Sequence, residues 1–572
     1  MPPDTKRLCE TPATIEPERE LGGSHSPRTS ATDQFWSIPE LVALVMEFVF
    51  PSQNDLYSCS LVSKSISSIA LDVLYGRGLD LWDFLPFLGP VEGVDSDDDP
   101  HSQFSNPPCQ ADWDLFYRYA VRAKSIALKN PSAELSKESV ADFYLVKPPD
   151  LIPFPRLQSL SWQAESIFWM RCVNMCLHRN LTELIIRAPP ITLRGVCESV
   201  ANLSPNLRTL KVRFSVEDDV FALQVFHEFV PSLSLLNKLQ FLEMPAFFLS
   251  AEVISILSAK TPNLSALLAS GYRQSIEIDN PLETPKVSSS NYFPCLAQLS
   301  LEIGSLWHFP TSHLRAPFLQ QLHIQMSFPT TKGALDHCIS ILVENCAVLS
   351  GLSIAFQDPT VPQTTIQGQS PITAQSLKDI LKLPSLRYLE IDDIRPPDLD
   401  DNDLIGLAPR CSSLLTLNIC IHARHPDTGR FPTLAPLISF ARHCPELVNF
   451  GYCMDATKVP SSTSIDPPRF ATLNTLDICD NTRIKDPYRV AAFLIGLVPP
   501  DAELLLEPVH CYRKTDGTDL YTEHDPSSNT LLWKMVEKMF VAFESLRTRA
   551  ADKPEENEEG ETSSSTANVP ES

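Results

Sequence analysis

"LPSLRYLEI", Leu383–Ile391, carries the pattern that decides how this chain folds. Leu389 and Ile391 alternate, as the apolar side of a short strand requires, and Leu386 stands three residues ahead of them. The same phrase, a small or Pro-containing lead-in followed by L-x-x-L-x-(apolar), returns as "FPRLQSLSW", "SPNLRTLKV", "TPNLSALLA", "APFLQQLHI" and "FATLNTLDI". Twelve copies can be read. Their first leucines are Leu157, Leu181, Leu207, Leu239, Leu264, Leu296, Leu319, Leu349, Leu386, Leu414, Leu447 and Leu473. The gaps run from 23 to 37 residues, so the period is irregular.

Between the copies lie stretches of helical spacing, such as "TAQSLKDILK" (373–382) and "ALDHCISILVENC" (334–346). One strand and one helix cannot bury their own apolar faces, but stacked neighbours can. The expectation is an α/β solenoid, with parallel strands forming a curved sheet inside and helices outside. An α/β domain with a parallel sheet of the same composition is the alternative. The motif resembles the leucine-rich repeat over residues 150–510, although the Asn that usually follows the strand is mostly missing. A final stretch, "TLLWKMVEKMFVAFESLRT" (530–548), places Leu532, Val536, Met539, Phe540 and Phe543 on one helical face. It is expected to cap the array, with a partner-binding helix as the other reading.

Ahead of the repeats stands "IPELVALVMEFVFPSQNDLYSCSLVSKSI", Ile38–Ile66. Pro39 suits the first turn of a helix, where its missing N–H costs nothing. Leu41, Leu44, Val45 and Phe48 follow at i, i+3, i+4 and i+7 and predict one apolar face. Pro51 ends that helix, and Asn54 or Asp55 is placed to cap the next. Val62, Ile66, Ile69 and Val73 give a third stretch of helical spacing. A unit this small is close to the lower limit for independent folding, so its apolar surface calls for a partner or the following domain.

This arrangement resembles the F-box: Ile38-Pro39-Glu40-Leu41-Val42 matches the opening of the family pattern, and "DLYSCSLVSK" (55–64) its second half. Ile66 stands where most members carry Trp. An F-box followed by eroded leucine-rich-like repeats is similar to a large set of fungal F-box proteins. The resemblance implies docking to the Skp adaptor and, through it, to a cullin scaffold. Pro39, Leu41, Leu44, Leu56, Leu61, Val62 and Ile66 are then the candidates for that contact or its support. The sequence does not separate contact residues from interior ones.

The organisation read from the 572 residues is a disordered leader (1–33), an F-box-like helical unit (34–90), an acidic loop or insertion (91–112), the repeat array with its cap (113–548) and an acidic disordered tail (549–572). The net charge is −24, which makes nucleic acid and anionic membranes poor partners and points to a target with a basic patch. Eighteen Gly against 50 Pro argue against Gly-rich phosphate loops. The N-terminus lacks an apolar signal region, and no apolar run is long enough for a membrane span. Fifteen unclustered cysteines suit a reducing compartment, cytoplasm or nucleus.

Motifs for phosphate cradles, nucleophile elbows or zinc proteases are absent. Cys172, Cys176 and His178 come nearest to a metal cluster, but a second ligand pair is not evident, and buried helix positions explain the cysteines better. No cofactor, metal or catalytic residue is expected. Two acidic stretches, "DSDDD" (95–99) and "DIRPPDLDDND" (393–403), read as solvated loops, with Ser96 as a candidate phosphorylation site. The expected function is that of a non-catalytic, substrate-recognition subunit of a cullin-type ubiquitin ligase, with the solenoid holding an unknown target protein. A leucine-rich-like interaction scaffold whose first helices only cap the array is the alternative. A GTPase-activating solenoid is a third reading, supported by the acidic tail and opposed by the irregular repeats.

Overall fold

The computed structural model describes residues 31–94, 101–128, 135–215, 219–271, 291–303, 314–326, 331–356, 370, 372–393, 395–421, 423, 431–460, 468–478, 482–505 and 528–551. The leader before residue 31, the "DSDDD" stretch with Ser96, and the tail beyond Ala551 lie outside them. The chain divides into two compact units, Met1–Arg77 and Gly78–Ser572.

Among its described residues the first unit holds four helices: α1 (Ala31–Trp36), α2 (Pro39–Val49), α3 (Gln53–Ser60) and α4 (Lys64–Leu74). Pro39 opens α2 as expected, directly after its N-cap Ile38. The cap of α3 is Ser52 rather than Asn54 or Asp55: its hydroxyl accepts the Asp55 N–H. Ser63 caps α4 in the same way through the Ile66 N–H, which leaves Val62 in the turn before the helix. The unit closes at Arg77, whose guanidinium pairs with Glu47 of α2 at 3.0 Å.

The second unit is built on one fifteen-stranded sheet. Its strands are β1 (Leu79–Asp80), β2 (Ser125–Leu128), β3 (Ser159–Gln163), β4 (Glu183–Ala188), β5 (Thr209–Phe214), β6 (Phe241–Pro245), β7 (Ala266–Ser270), β8 (Gln298–Ile303), β9 (Gln321–Met326), β10 (Gly351–Phe356), β11 (Tyr388–Asp392), β12 (Thr416–Ile419), β13 (Asn449–Tyr452), β14 (Thr475–Asp477) and β15 (Glu503–Leu505). Each pairs in parallel with its neighbour, and their order in the sheet is their order in the chain. This is a solenoid of the leucine-rich-repeat type.

Two features hold successive repeats in register. The second leucine of each motif forms a buried ladder across the whole sheet, from Leu79 through Ile126, Leu160 and Leu184 to Leu476 and Leu504. Phe450 is the one aromatic rung. Just before the strands, one carbonyl per repeat accepts two N–H groups from the next repeat: Lys124 from Gln158 and Ser159, Gln158 from Thr182 and Glu183, and onward to Val448 from Asn474 and Thr475. Each short strand thereby satisfies its leading backbone groups before the sheet pairing begins.

Strand residues alternate between buried and half-exposed, as in Glu183–Ala188, so one face of the sheet lies under the connecting helices. Those helices pack each on the next: Lys332–Asn345 on Ala374–Ile380, that on Asp401–Leu407, and that on Ala435–His443. The C-terminal helix, Ser528–Ala551, packs on the last of them, Pro487–Leu497. Its buried stripe is Trp533, Val536 and Phe540, while Leu532 and Met539 are half-buried and Phe543 is exposed. The stripe is therefore rotated from the expected one, because the Trp533 indole reaches into the array and donates to the Thr482 carbonyl at 2.9 Å.

Two stretches read as loops are more ordered than expected. Within 91–112, Val91–Val94 and His101–Phe104 form an antiparallel hairpin, and the Phe104 N–H donates to Ser139 Oγ at 2.9 Å. Within 393–403, Asp393 and Arg395 are buried and form a two-pronged ion pair, at 2.7 and 3.0 Å. Asp400 caps the following helix, and Asp401 accepts the Thr433 hydroxyl at 2.9 Å. These acids are structural rather than solvated.

Candidate protein-docking site

The seven residues singled out in the N-terminal unit fall into two sets. Leu56 is fully buried, in a core with Val42, Met46 and Ala70. Ile66 is half-buried and packs against that core. These two support the unit. Pro39 is exposed and Leu41 half-buried. Leu44, Leu61 and Val62 are exposed by 54%, 64% and 69%.

The apolar face expected on α2 is thus not the face that builds the core. Nearly every residue of "PELVALVMEFV" is apolar, so two stripes were available. Packing on α3 and α4 takes Val42, Met46 and Val49, at i, i+4 and i+7. That leaves Leu44 and Phe48, one turn apart, facing away from the core, with Phe48 87% exposed. On α3, Tyr57 lies one turn before Leu61, and both are exposed. Trp36 and Ile38 add two further exposed apolar side chains at the start of the unit. A unit of under fifty described residues seldom leaves so many large apolar side chains in water without a use for them. Phe48 was placed on an apolar face but not among the docking candidates, because helical periodicity reports that a face is apolar, not whether it turns in or out; Tyr57 and Trp36 lay outside every periodic stretch that was read.

Among the described residues, the cysteine side chains are mostly buried. Among the described residues no three His, Cys, Asp or Glu are grouped to hold a metal ion. Cys172 and Cys176 are buried, as their helical spacing suggested. Burial pushes the thiols of Cys176, Cys197 and Cys338 up to about 12, the reverse of what a nucleophile needs. Cys346, Cys411 and Cys444 stand three residues ahead of Leu349, Leu414 and Leu447, where each carbonyl accepts the leucine N–H. They are small core residues of the turn that opens each strand. No helix among the described residues is long and apolar enough to cross a membrane.

No family model matches the chain, and no curated protein does. Among solved structures, the TLR13–ssRNA13 complex is 12% identical, covers 72% of this chain and 64% of its own, and superposes with a TM-score of 0.31. The chain thus spans less than two thirds of that structure's length. The yeast Rad7–Elc1 complex is 13% identical, covering 82% of this chain and 93% of its own, with a TM-score of 0.26. The leucine-rich repeat-containing protein LegL7 from Legionella pneumophila is 10% identical over 70% and 94%, with a TM-score of 0.25. Likenesses at this level carry no functional weight.

Proposed function

We propose that the chain is the substrate-recognition subunit of a cullin-type ubiquitin ligase. Its first unit docks a Skp-type adaptor, and its strand–helix array holds the target protein. The observation that carries this reading is the exposed apolar surface of the first unit, on the stretch whose sequence resembles the F-box. Leu44, Phe48, Leu61 and Val62 face water there. Fully covering a wholly exposed aliphatic or aromatic side chain is worth about 1.5–3 kcal/mol, so these four, part of whose surface is already covered, offer about 4–8 kcal/mol towards the cost of association. The array would contribute no chemistry of its own. Holding a target beside the charged ubiquitin carrier raises its effective concentration, and partner subunits transfer the ubiquitin.

The test is assembly. The full chain is mixed with a Skp-type adaptor and a cullin N-terminal domain and resolved by size exclusion. Co-elution of all three supports the reading. A well-folded chain that elutes alone would leave the first unit without its adaptor and the array as an interaction scaffold.

A further inference from the structure

The leading ends of strands β2 to β6 carry a local charge opposite to that of the whole chain. A cleft of about 490 Å³ there is lined by Lys124, Arg156, Arg179, Arg208 and Lys238, with polar Gln158, Asn180, Thr182 and Asn206 between them. No carboxylate lines it among the described residues. The cations come one from each of five successive repeats. Lys124 and Arg208 follow directly on the first position of the motif, and Arg156 and Lys238 directly precede it.

The turns that hold them are tied together by side chains of the same cleft. Asn180 Nδ2 donates to the Pro155 carbonyl at 3.0 Å, and Asn206 Nδ2 to the Arg179 carbonyl at 2.7 Å. Asn206 Oδ1 in turn accepts from Lys238 Nζ at 2.7 Å. Lys124, Arg156, Arg179 and Arg208 are exposed and form no ion pair among the described residues. Five cations gathered with no ion pair among the described residues, in a chain of net charge −24, repel one another.

We propose that this cleft binds an extended, anionic peptide segment of a partner protein. Length decides the shape of the ligand. Adjacent strands lie about 4.8 Å apart, so five of them span about 19 Å, which matches about six residues of extended chain at about 3.3 Å each. A compact polyanion would leave the ends of the row unused. Range decides against nucleic acid. At physiological salt, charges interact over about 8 Å, so a short peptide feels the row itself, whereas a long phosphate backbone must also run over a chain whose net charge is −24. The ladder carbonyls of this edge are already taken by neighbouring repeats, so recognition rests on side chains and on charge rather than on added backbone pairing. The anionic groups are carboxylates or peptide-borne phosphates, which the row would grip through the same guanidinium geometry. The proposal deepens the receptor reading by naming what the array holds, and takes its biological use from that reading. Its test does not involve the adaptor, so the two can fail separately.

The experiment is fluorescence anisotropy on the full chain with two fluorescein-labelled probes. One is a hexaglutamate peptide, and the other is a peptide of alternating glutamate and phosphoserine of the same length. The expected result is binding of at least one probe that weakens as salt rises. It should weaken at least tenfold further in the triple variant R156Q/R179Q/R208Q and stay unchanged in the control R410Q/R442Q, with both variants unfolding at the wild-type temperature. A response confined to hexaglutamate assigns carboxylates, and one confined to the second probe assigns phosphates. Absence of binding by both peptides, equal binding by wild type and triple variant, or triple-sensitive binding of inositol hexakisphosphate or an oligonucleotide in place of the peptides would each overturn the proposal.

Discussion

Gly451, on β13, shows how tightly neighbouring repeats meet. A Cβ built there would lie 2.6 Å from Asp477 Cβ and 2.9 Å from Ile421 Cγ2, both short-stemmed groups on adjacent backbone. Neither can swing away as the tip of a long side chain would. Gly451→Ala is therefore expected to lower the unfolding free energy by about 1–3 kcal/mol, the usual cost of overpacking, and chemical denaturation would measure it. His178 makes a second residue-scale prediction, this time about pH. It is buried, and its Nδ1 accepts the Asn180 N–H at 3.1 Å, so protonation there must break that bond. Desolvation by burial holds its pKa below the ordinary imidazole value. The unfolded chain then binds the proton more readily than the folded one. Stability is complete above about pH 6.5 and falls as the pH drops through the ordinary value towards the folded one. His323, also lowered by burial, adds in the same direction. Thermal unfolding of His178→Gln should show a shallower loss of stability between about pH 7 and 5.5 than wild type, and an unchanged slope would contradict the assignment.

At the scale of elements, the Trp533 indole joins the C-terminal helix to the array, being fully buried and hydrogen-bonded to the Thr482 carbonyl. Trp533→Ala should cost about 3–5 kcal/mol, enough to expose the end of the array. Hydrogen exchange would read this as lost protection over Pro487–Leu497, with Lys332–Asn345 little changed. The twelve motif strands were legible in the sequence: each begins two residues after its first leucine, from Leu157 before Ser159 to Leu473 before Thr475, and all twelve leucines are buried. The other three strands lack the motif's first leucine. Their first-leucine positions hold Gly76 before β1, Ala123 before β2 and Asp501 before β15, and only the neighbouring strand reveals the register. The exposed apolar surface of the first unit was legible in composition but not in orientation. A helix as apolar as α2 offers two stripes, and which one turns inward depends on α3 and α4. The basic cleft was hidden for a different reason: its cations lie scattered over more than a hundred residues, and net charge pointed the other way.

Over the whole molecule, the two units divide in how they use their apolar surface. The first spends much of its apolar surface outward, while the second buries its own in a ladder of fifteen rungs. The direct measurement of that division is the affinity of the full chain for a purified Skp-type adaptor, compared between Leu44→Ala/Leu61→Ala and the interior variant Leu56→Ala. The account predicts that the exposed pair leaves thermal unfolding within about 1 kcal/mol of wild type yet weakens adaptor binding at least thirtyfold. Leu56→Ala should instead destabilise the first unit by about 2–5 kcal/mol and lose binding only as that unit unfolds. Wild-type affinity in the exposed pair, or no adaptor binding by the folded wild-type chain, would contradict the account.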